Sequence, residues 1–169
     1  MLRAAEVSDY FFAKDPDRKV FNMLLMERNK RHFYEGNAKM NKFLHMAQNL
    51  HIAKSGVPLF SDDMYAYDNG AVVVDVMNSY PIMQKKHHSA PDFGCETNDF
   101  LDRVFHMLKN CDIDELIALS HEDEEWAEKS RNWRKAEQKM HSMSRADEYK
   151  KQYADGLAVL YRMDTGEDA

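Results

Sequence analysis

The chain has 169 residues, 31% of them charged, and a formal net charge of -6 at pH 7. A single domain of that length buries a core without staples, and the acidic balance argues against a general nucleic-acid binder, which needs a basic face to neutralise phosphates. Only Cys95 and Cys111 are present, without CxxC spacing, so neither a disulfide framework nor a zinc ribbon is expected and a reducing cytoplasm is the simplest setting.

The opening MLRAAEVSDYFF has no apolar h-region and no window approaches a membrane span, which disfavours secretion and insertion. Tyr10, Phe11 and Phe12 supply the apolar contacts of a helix over 5–14, closed by Asp15-Pro16 because the residue before proline is pushed out of the α region. Val20, Phe21, Leu24, Leu25 and Phe33 follow helical steps, with Glu27, Arg28, Lys30 and Arg31 as a solvated face, and predict a second helix over 18–34. Met40, Phe43, Leu44, Ala47, Leu50 and Ala53 recur at three- and four-residue steps and predict a helix over 38–54, the most buried of the set. Asn37 is its expected N-cap. Lys54 in the last turn, Gly56 at the C′ position and Pro58 beyond it mark its end.

Met64-Tyr65-Ala66-Tyr67 has strand composition, and Asp68-Asn69-Gly70 is turn chemistry tolerant of positive φ. Val72 to Met77 fits either a strand or one helical face. Pro81 to Asn98, with two prolines and little periodicity, reads as a long loop. Phe100, Leu101, Val104, Phe105 and Leu108 predict a helix over 98–110, and Ile113, Leu116, Ile117 and Leu119 one over 112–120. Ser120-His121-Glu122-Asp123 reads as a capping box opening a helix over 122–142, with Trp126, Trp133 and Met140 at heptad spacing. Ser144 to Asp147 reads as a second box, opening 145–162, where Tyr149, Tyr153, Leu157, Leu160 and Tyr161 pack. The tail from Asp164 is expected to fray. The fold class is therefore mainly α (α+β): one domain over 1–169 with about seven helices and a short β element near 63–75.

No catalytic or cofactor-binding set emerges. His87, His88 and Cys95 carry ligand chemistry but lack a fourth partner at matching spacing. His121 to Glu125 resembles a zinc-protease motif with Glu125 where the second His belongs, and its acids suit a helix N-terminus. An enzyme reading would use His45, His51 or His121 as general base beside the acids of 112–128. Asp112 to Glu128 holds eight acids and no Lys or Arg, whereas Lys129 to Lys151 holds eight basic residues against three acids. That asymmetry suits steering of a charged partner, or a basic helix of a DNA-binding regulator.

Lys39–Asn49, then Gly56-Val57-Pro58-Leu59-Phe60, then Ala66-Tyr67-Asp68-Asn69-Gly70-Ala71-Val72 resemble the SocA-like antitoxin, or Panacea, domain family, with its G-x-P-L-F exit and A-W-x-Y-G-P-V turn. Ser120-His121 with Trp126 is similar to that family's T-H-x-x-x-P-W signature. Tyr67, Ala71 and Glu125 stand where the family usually has Trp, Pro and Pro. The resemblance covers about residues 6–130. It implies a prophage- or genome-borne antitoxin that binds a cognate protein toxin and neutralises it, or presents it to a bacterial AAA+ protease, with a homodimer as one possible state. Tyr65, Tyr67 and Trp133 are the candidate contact residues, because interface energy concentrates in aromatic anchors. The free edge of the strand holding the two tyrosines is a further candidate, for pairing with a partner strand.

Overall fold

The computed structural model describes residues 1–163; the tail expected to fray from Asp164 lies outside them. In chain order the elements are α1 (Ala4–Lys14), β1 (Leu25–Arg28), β2 (Arg31–Tyr34), α2 (Glu35–Ser55), β3 (Tyr65–Tyr67), β4 (Gly70–Val72), α3 (Val74–Lys85), α4 (Cys95–Leu108), α5 (Ile113–His121), α6 (Glu124–Lys129), α7 (Ala146–Gln152) and α8 (Ala154–Arg162). The class is mainly α with two separate antiparallel hairpins. Among the described residues, no helix is long and apolar enough to cross a membrane.

α2 is the axis around which the rest is built. Its apolar stripe is buried as expected: Met40, Phe43, Leu44 and Ala47 are all 0% exposed. Phe43 meets Phe11 of α1 edge-on at 5.5 Å and Phe105 of α4 at 5.9 Å. Gly56 ends the helix in the left-handed conformation at φ 78°, and its N–H donates to Ile52 O at 2.7 Å. A residue with a Cβ is disfavoured there. The opposite face of α2 is buried too. From Lys39 to Leu50 no residue is exposed, although Asn41, Lys42, His45, Gln48 and Asn49 are polar. A helix covered all round lies at the centre of a domain.

The helix expected over 18–34 does not form. The Asp15 carboxylate accepts from the N–H groups of Lys19, Val20 and Phe21 at 2.9, 3.0 and 2.8 Å, which folds this stretch into a turn. Arg18, at φ 54°, donates to the carbonyls of Phe12, Asp15, Gln84 and Lys86 and fastens that turn to α3. Beyond it, Asn29 and Lys30 both have positive φ, 52° and 64°, closing a two-residue hairpin with Arg28 opposite Arg31. This mirror-type turn follows the natural strand twist.

Val72 to Met77 combines both readings, as β4 ends at Val72 and α3 starts at Val74. The expected 81–98 loop shrinks because α3 runs through Pro81 to Lys85 and α4 begins at Cys95. Proline in a helix leaves the carbonyl four residues back without its donor. Here that carbonyl is Met77 O, and the Asn37 side chain donates to it at 2.9 Å. Asn37 is therefore not the cap of α2, which starts two residues earlier with Tyr34 in the cap position.

The 122–142 helix stops at Lys129. Beyond it the chain turns back, so that Lys139 bridges Tyr65 and Met140 N–H donates to Met64 O at 2.9 Å. The heptad seam dissolves accordingly. Trp126 and Met140 enter the interior from different segments, and Trp133 is left 84% exposed. The last expected helix divides at Tyr153 into α7 and α8. Arg145, not Ser144, precedes α7, and its guanidinium pairs with Glu128 and Glu148 instead of capping.

Candidate functional site

The polar residues of α2 recur at Asn41, Lys42, His45, Gln48 and Asn49, steps of one, three and four that place them on one face. Two of them organise backbone. Gln48 Oε1 accepts from the N–H groups of Leu59 and Phe60 at 2.7 and 3.2 Å while its amide donates to Phe60 O at 3.0 Å, which sets the path after Gly56 and Pro58. Asn41 Oδ1 accepts from Val73 N–H at 2.9 Å, at the joint between β4 and α3.

His45 and Asn49 lead into a buried network. Asp123 is the N-cap of α6, its Oδ1 accepting from Glu125 N–H and Trp126 N–H at 2.9 and 3.3 Å. Ser120, the expected cap, instead sits inside α5, its hydroxyl donating to Ile117 O. Asp123 Oδ2 accepts from His45 Nε2 at 2.7 Å and from the Asn49 amide at 2.9 Å. The same amide donates to Tyr153 Oη at 3.0 Å, leaving Asn49 Oδ1 to accept from His141 Nε2 at 2.6 Å. Both histidines therefore carry their proton on Nε2, since each faces an acceptor there. Glu125 Oε1 accepts from Tyr149 Oη at 2.7 Å and His141 N–H at 2.6 Å, and Oε2 pairs with Lys129 at 2.8 Å.

Burial works against the Asp123 carboxylate, but the hydrogen bonds from His45 and Asn49 and the nearby imidazoles outweigh it and hold its pKa down at about 2. Burial, then the neighbouring His45, pushes His141 down to about 4. Tyr149 is raised by burial and by the charges of Asp123 and Glu125. At neutral pH the network thus holds two carboxylates and a neutral His141 in the interior.

His45, Asp123 and His141 offer ligand atoms within 4.8 Å of one another. Two donors on one zinc, each about 2.0–2.1 Å from it, stand roughly 3.3 Å apart. The His45 to Asp123 separation of 2.7 Å is instead that of a charge-assisted hydrogen bond. The histidines and the cysteine weighed from sequence lie elsewhere. His88 bridges Asp9 and Met83 O and stacks on Phe12, and Cys95 is exposed at the start of α4.

Beside the network, α5 and α6 meet the β3–β4 hairpin. Trp126 stacks on His121 with centroids 3.9 Å apart, and its indole N–H donates to Tyr67 O at 2.8 Å. Ala66 and Ala71, both 0% exposed, face each other across the hairpin. Gly70, at φ 125°, lies so close to its neighbours that a Cβ there would stand 2.6 Å from Lys42 Nζ and 2.8 Å from Ser120 Oγ. A cleft of about 220 Å³ opens between this hairpin, β2 and α2, with Phe33, Asn37, Lys42, Tyr67, Gly70 and Val72 in its wall.

The structure brings Ala66, Gly70, Val72, Ser120, His121 and Trp126 into one neighbourhood, with Gly56 and Pro58 at the far end of α2. Tyr65 and Tyr67 are half-buried, and Lys135 Nζ lies 4.9 Å from the Tyr65 ring centroid. The edge of β3 is not free for a partner strand, because the Lys139–Met140 segment and the Trp126 indole already take its backbone groups. From sequence, Asp123 stood out only as a capping-box residue and one of the acids of 112–128, and Tyr149 only as a packing residue, whereas Asn49 and His141 were not singled out. The polar spacing on α2 was the available signal for Asn49, while His141 sits in an irregular segment with no pattern to mark it.

The fold and this site define a small α+β domain whose central helix is polar on one buried face and apolar on the other. Residues 40–127, just over half of the chain, match the family described as antitoxin SocA-like, Panacea domain. The chain belongs to that family, which gives it an antitoxin-type role. Comparison with curated proteins and with solved structures returned no match.

Proposed function

We propose that this protein is a non-enzymatic antitoxin that binds a cognate protein toxin and neutralises it. The observation that carries the reading is the family match over residues 40–127, joined to an aromatic anchor outside the matched region. Trp133 is 84% exposed, with the Arg134 guanidinium 5.2 Å from its ring centroid. A large exposed aromatic beside Arg is the composition of an interface anchor. The most base-like pair, His45 and Asp123, is 0% exposed on both sides, so substrate has no route to it.

The DNA-binding reading is the weaker one. Residues 129–151 are not one helix, and Lys129, Lys139 and Arg145 are engaged by Glu125, Asp63, Glu128 and Glu148. Presentation of the toxin to a AAA+ protease is the finer form of the proposal.

The test expresses the reading frames on either side of this gene and co-expresses any product that arrests growth with the wild type and with Trp133→Ala, together with a thermal melt. Rescue is expected to fall sharply while the melting temperature stays unchanged, because the side chain buries almost nothing in the free protein. Full rescue by Trp133→Ala would remove this residue from the interface. A toxin that is degraded only when the antitoxin and the protease are both present would establish the adaptor form.

A further inference from the structure

Lys42 is the one residue of the α2 polar face whose charge the fold leaves unanswered. Its side chain is drawn inside, with the residue only 4% exposed, and no carboxylate lies within ion-pair distance among the described residues. Of the other charged groups lining the cleft, Arg31 pairs with Asp68 at 3.2 Å and His32 stands 3.7 Å from Glu27. Both of those side chains are more than half exposed. Lys42 is thus a largely buried side chain whose ammonium has no ion-pair partner among the described residues, in the wall of a cleft beside Gly70.

An ammonium withdrawn from water without a partner is costly, and the cost is relieved by one opposite charge. Lys42 bears a single charge, Arg31 is answered by Asp68, and the rest of the wall combines an apolar side with the polar groups of Asn37, Asn41, Tyr67 and Asn69. A phosphate, with close to two charges, exceeds the single unpaired ammonium of this wall and meets the Asp68 carboxylate as well. A carboxylate on a small apolar body matches both the charge and the lining. The volume, about 220 Å³, holds several non-hydrogen atoms, a water occupying roughly 30 Å³ of liquid.

We propose that this cleft is a binding site for a carboxylate carried on a small apolar group, with the Lys42 ammonium as its ion-pair partner. The group is either a free small organic acid or the chain end of a bound polypeptide. The site is independent of toxin neutralisation and stands or falls separately from it. Burial pushes the Lys42 pKa down to about 8 in the unliganded protein, so an anion seated there must raise it.

The experiment follows the Lys42 side-chain resonances of the full chain, labelled at lysine, across pH. Titrations use isobutyrate, isobutyramide as the neutral isostere, and N-acetyl-valine as a chain end. Both carboxylates are expected to shift Lys42 saturably and to move its titration upward, while the amide does neither. Lys42→Met should weaken carboxylate binding by at least about tenfold. Binding of N-acetyl-valine about tenfold tighter than isobutyrate would identify a chain end as the source, and equal affinity a free acid. Lys42 resonances that respond to neither carboxylate, or respond alike to the amide, overturn the proposal. That comparison needs only the wild-type chain, so it decides even if Lys42→Met fails to fold.

Discussion

His141 reads pH directly through its burial. Its pKa of about 4 in the folded protein lies below the unfolded value of about 6.5, so between these limits the unfolded chain binds a proton that the folded one refuses. Stability is therefore full above about pH 6.5 and declines as pH falls towards 4, by about 3 kcal/mol. Asp123 extends the decline, because its depressed pKa of about 2 makes its contribution vanish as pH drops from about 4 to 2. Thermal melts of His141→Gln, which keeps a donor for Asn49 Oδ1, should show a flattened profile between pH 6.5 and 4; an unchanged slope would mean another group carries it. At Gly70, substitution by Ala forces a side chain into φ 125° and against Lys42 and Ser120. A loss of about 1–3 kcal/mol in urea unfolding is expected from the backbone alone. Within the network, the 2.7 Å contact between His45 and Asp123 is a hydrogen bond, and elemental analysis should find no stoichiometric zinc. One zinc per chain, lost on His141→Gln, would reassign the cluster.

Local chemistry decided the elements wherever it was strong, and distant partners decided the rest. α2 ends at Gly56 because glycine and the following Pro58 leave no alternative. A hairpin stands at 25–34 where helical spacing suggested a helix: the Asp15 carboxylate holds the amides of 19–21 in a turn, and Asn29 and Lys30 at positive φ close the strands. The carbonyl that the internal proline of α3 leaves without a donor is served by Asn37, a residue 40 positions away. That compensation makes a specific prediction. Asn37→Ala should cost about 1 kcal/mol of stability in the wild type and less in a Pro81→Ala background, where the new N–H supplies the bond. Equal costs in both backgrounds would show that Met77 O does not depend on Asn37.

At the scale of the molecule, the two charge blocks that suggested a steered partner turn inward. Glu125 and Glu128 take Lys129 and Arg145, so part of the acidic run and part of the basic run neutralise each other within one subunit. Trp133 stays outside on the arch between α6 and α7, with Arg131, Arg134 and Lys135 exposed around it. Its accessibility is why the rescue assay with Trp133→Ala isolates binding from folding, whereas Tyr67 lines the cleft and its carbonyl holds Trp126.

The amino-acid sequence by itself determined the class, the central helix with its apolar stripe and its stop, the β3–β4 turn and the family motifs. All of these rest on contacts within a few residues or on one periodicity. The tertiary structure alone decided that the other face of α2 is buried, because a polar stripe looks identical whether water or Asp123, Tyr153 and a hairpin cover it. The difference lies in hydrogen bonds between residues more than 70 positions apart, as between His45 and Asp123 or Asn49 and His141. Trp133 shows the converse. Heptad spacing placed it on a seam with Trp126 and Met140, but the helix carrying that seam ends at Lys129, and spacing has no meaning once the helix is gone.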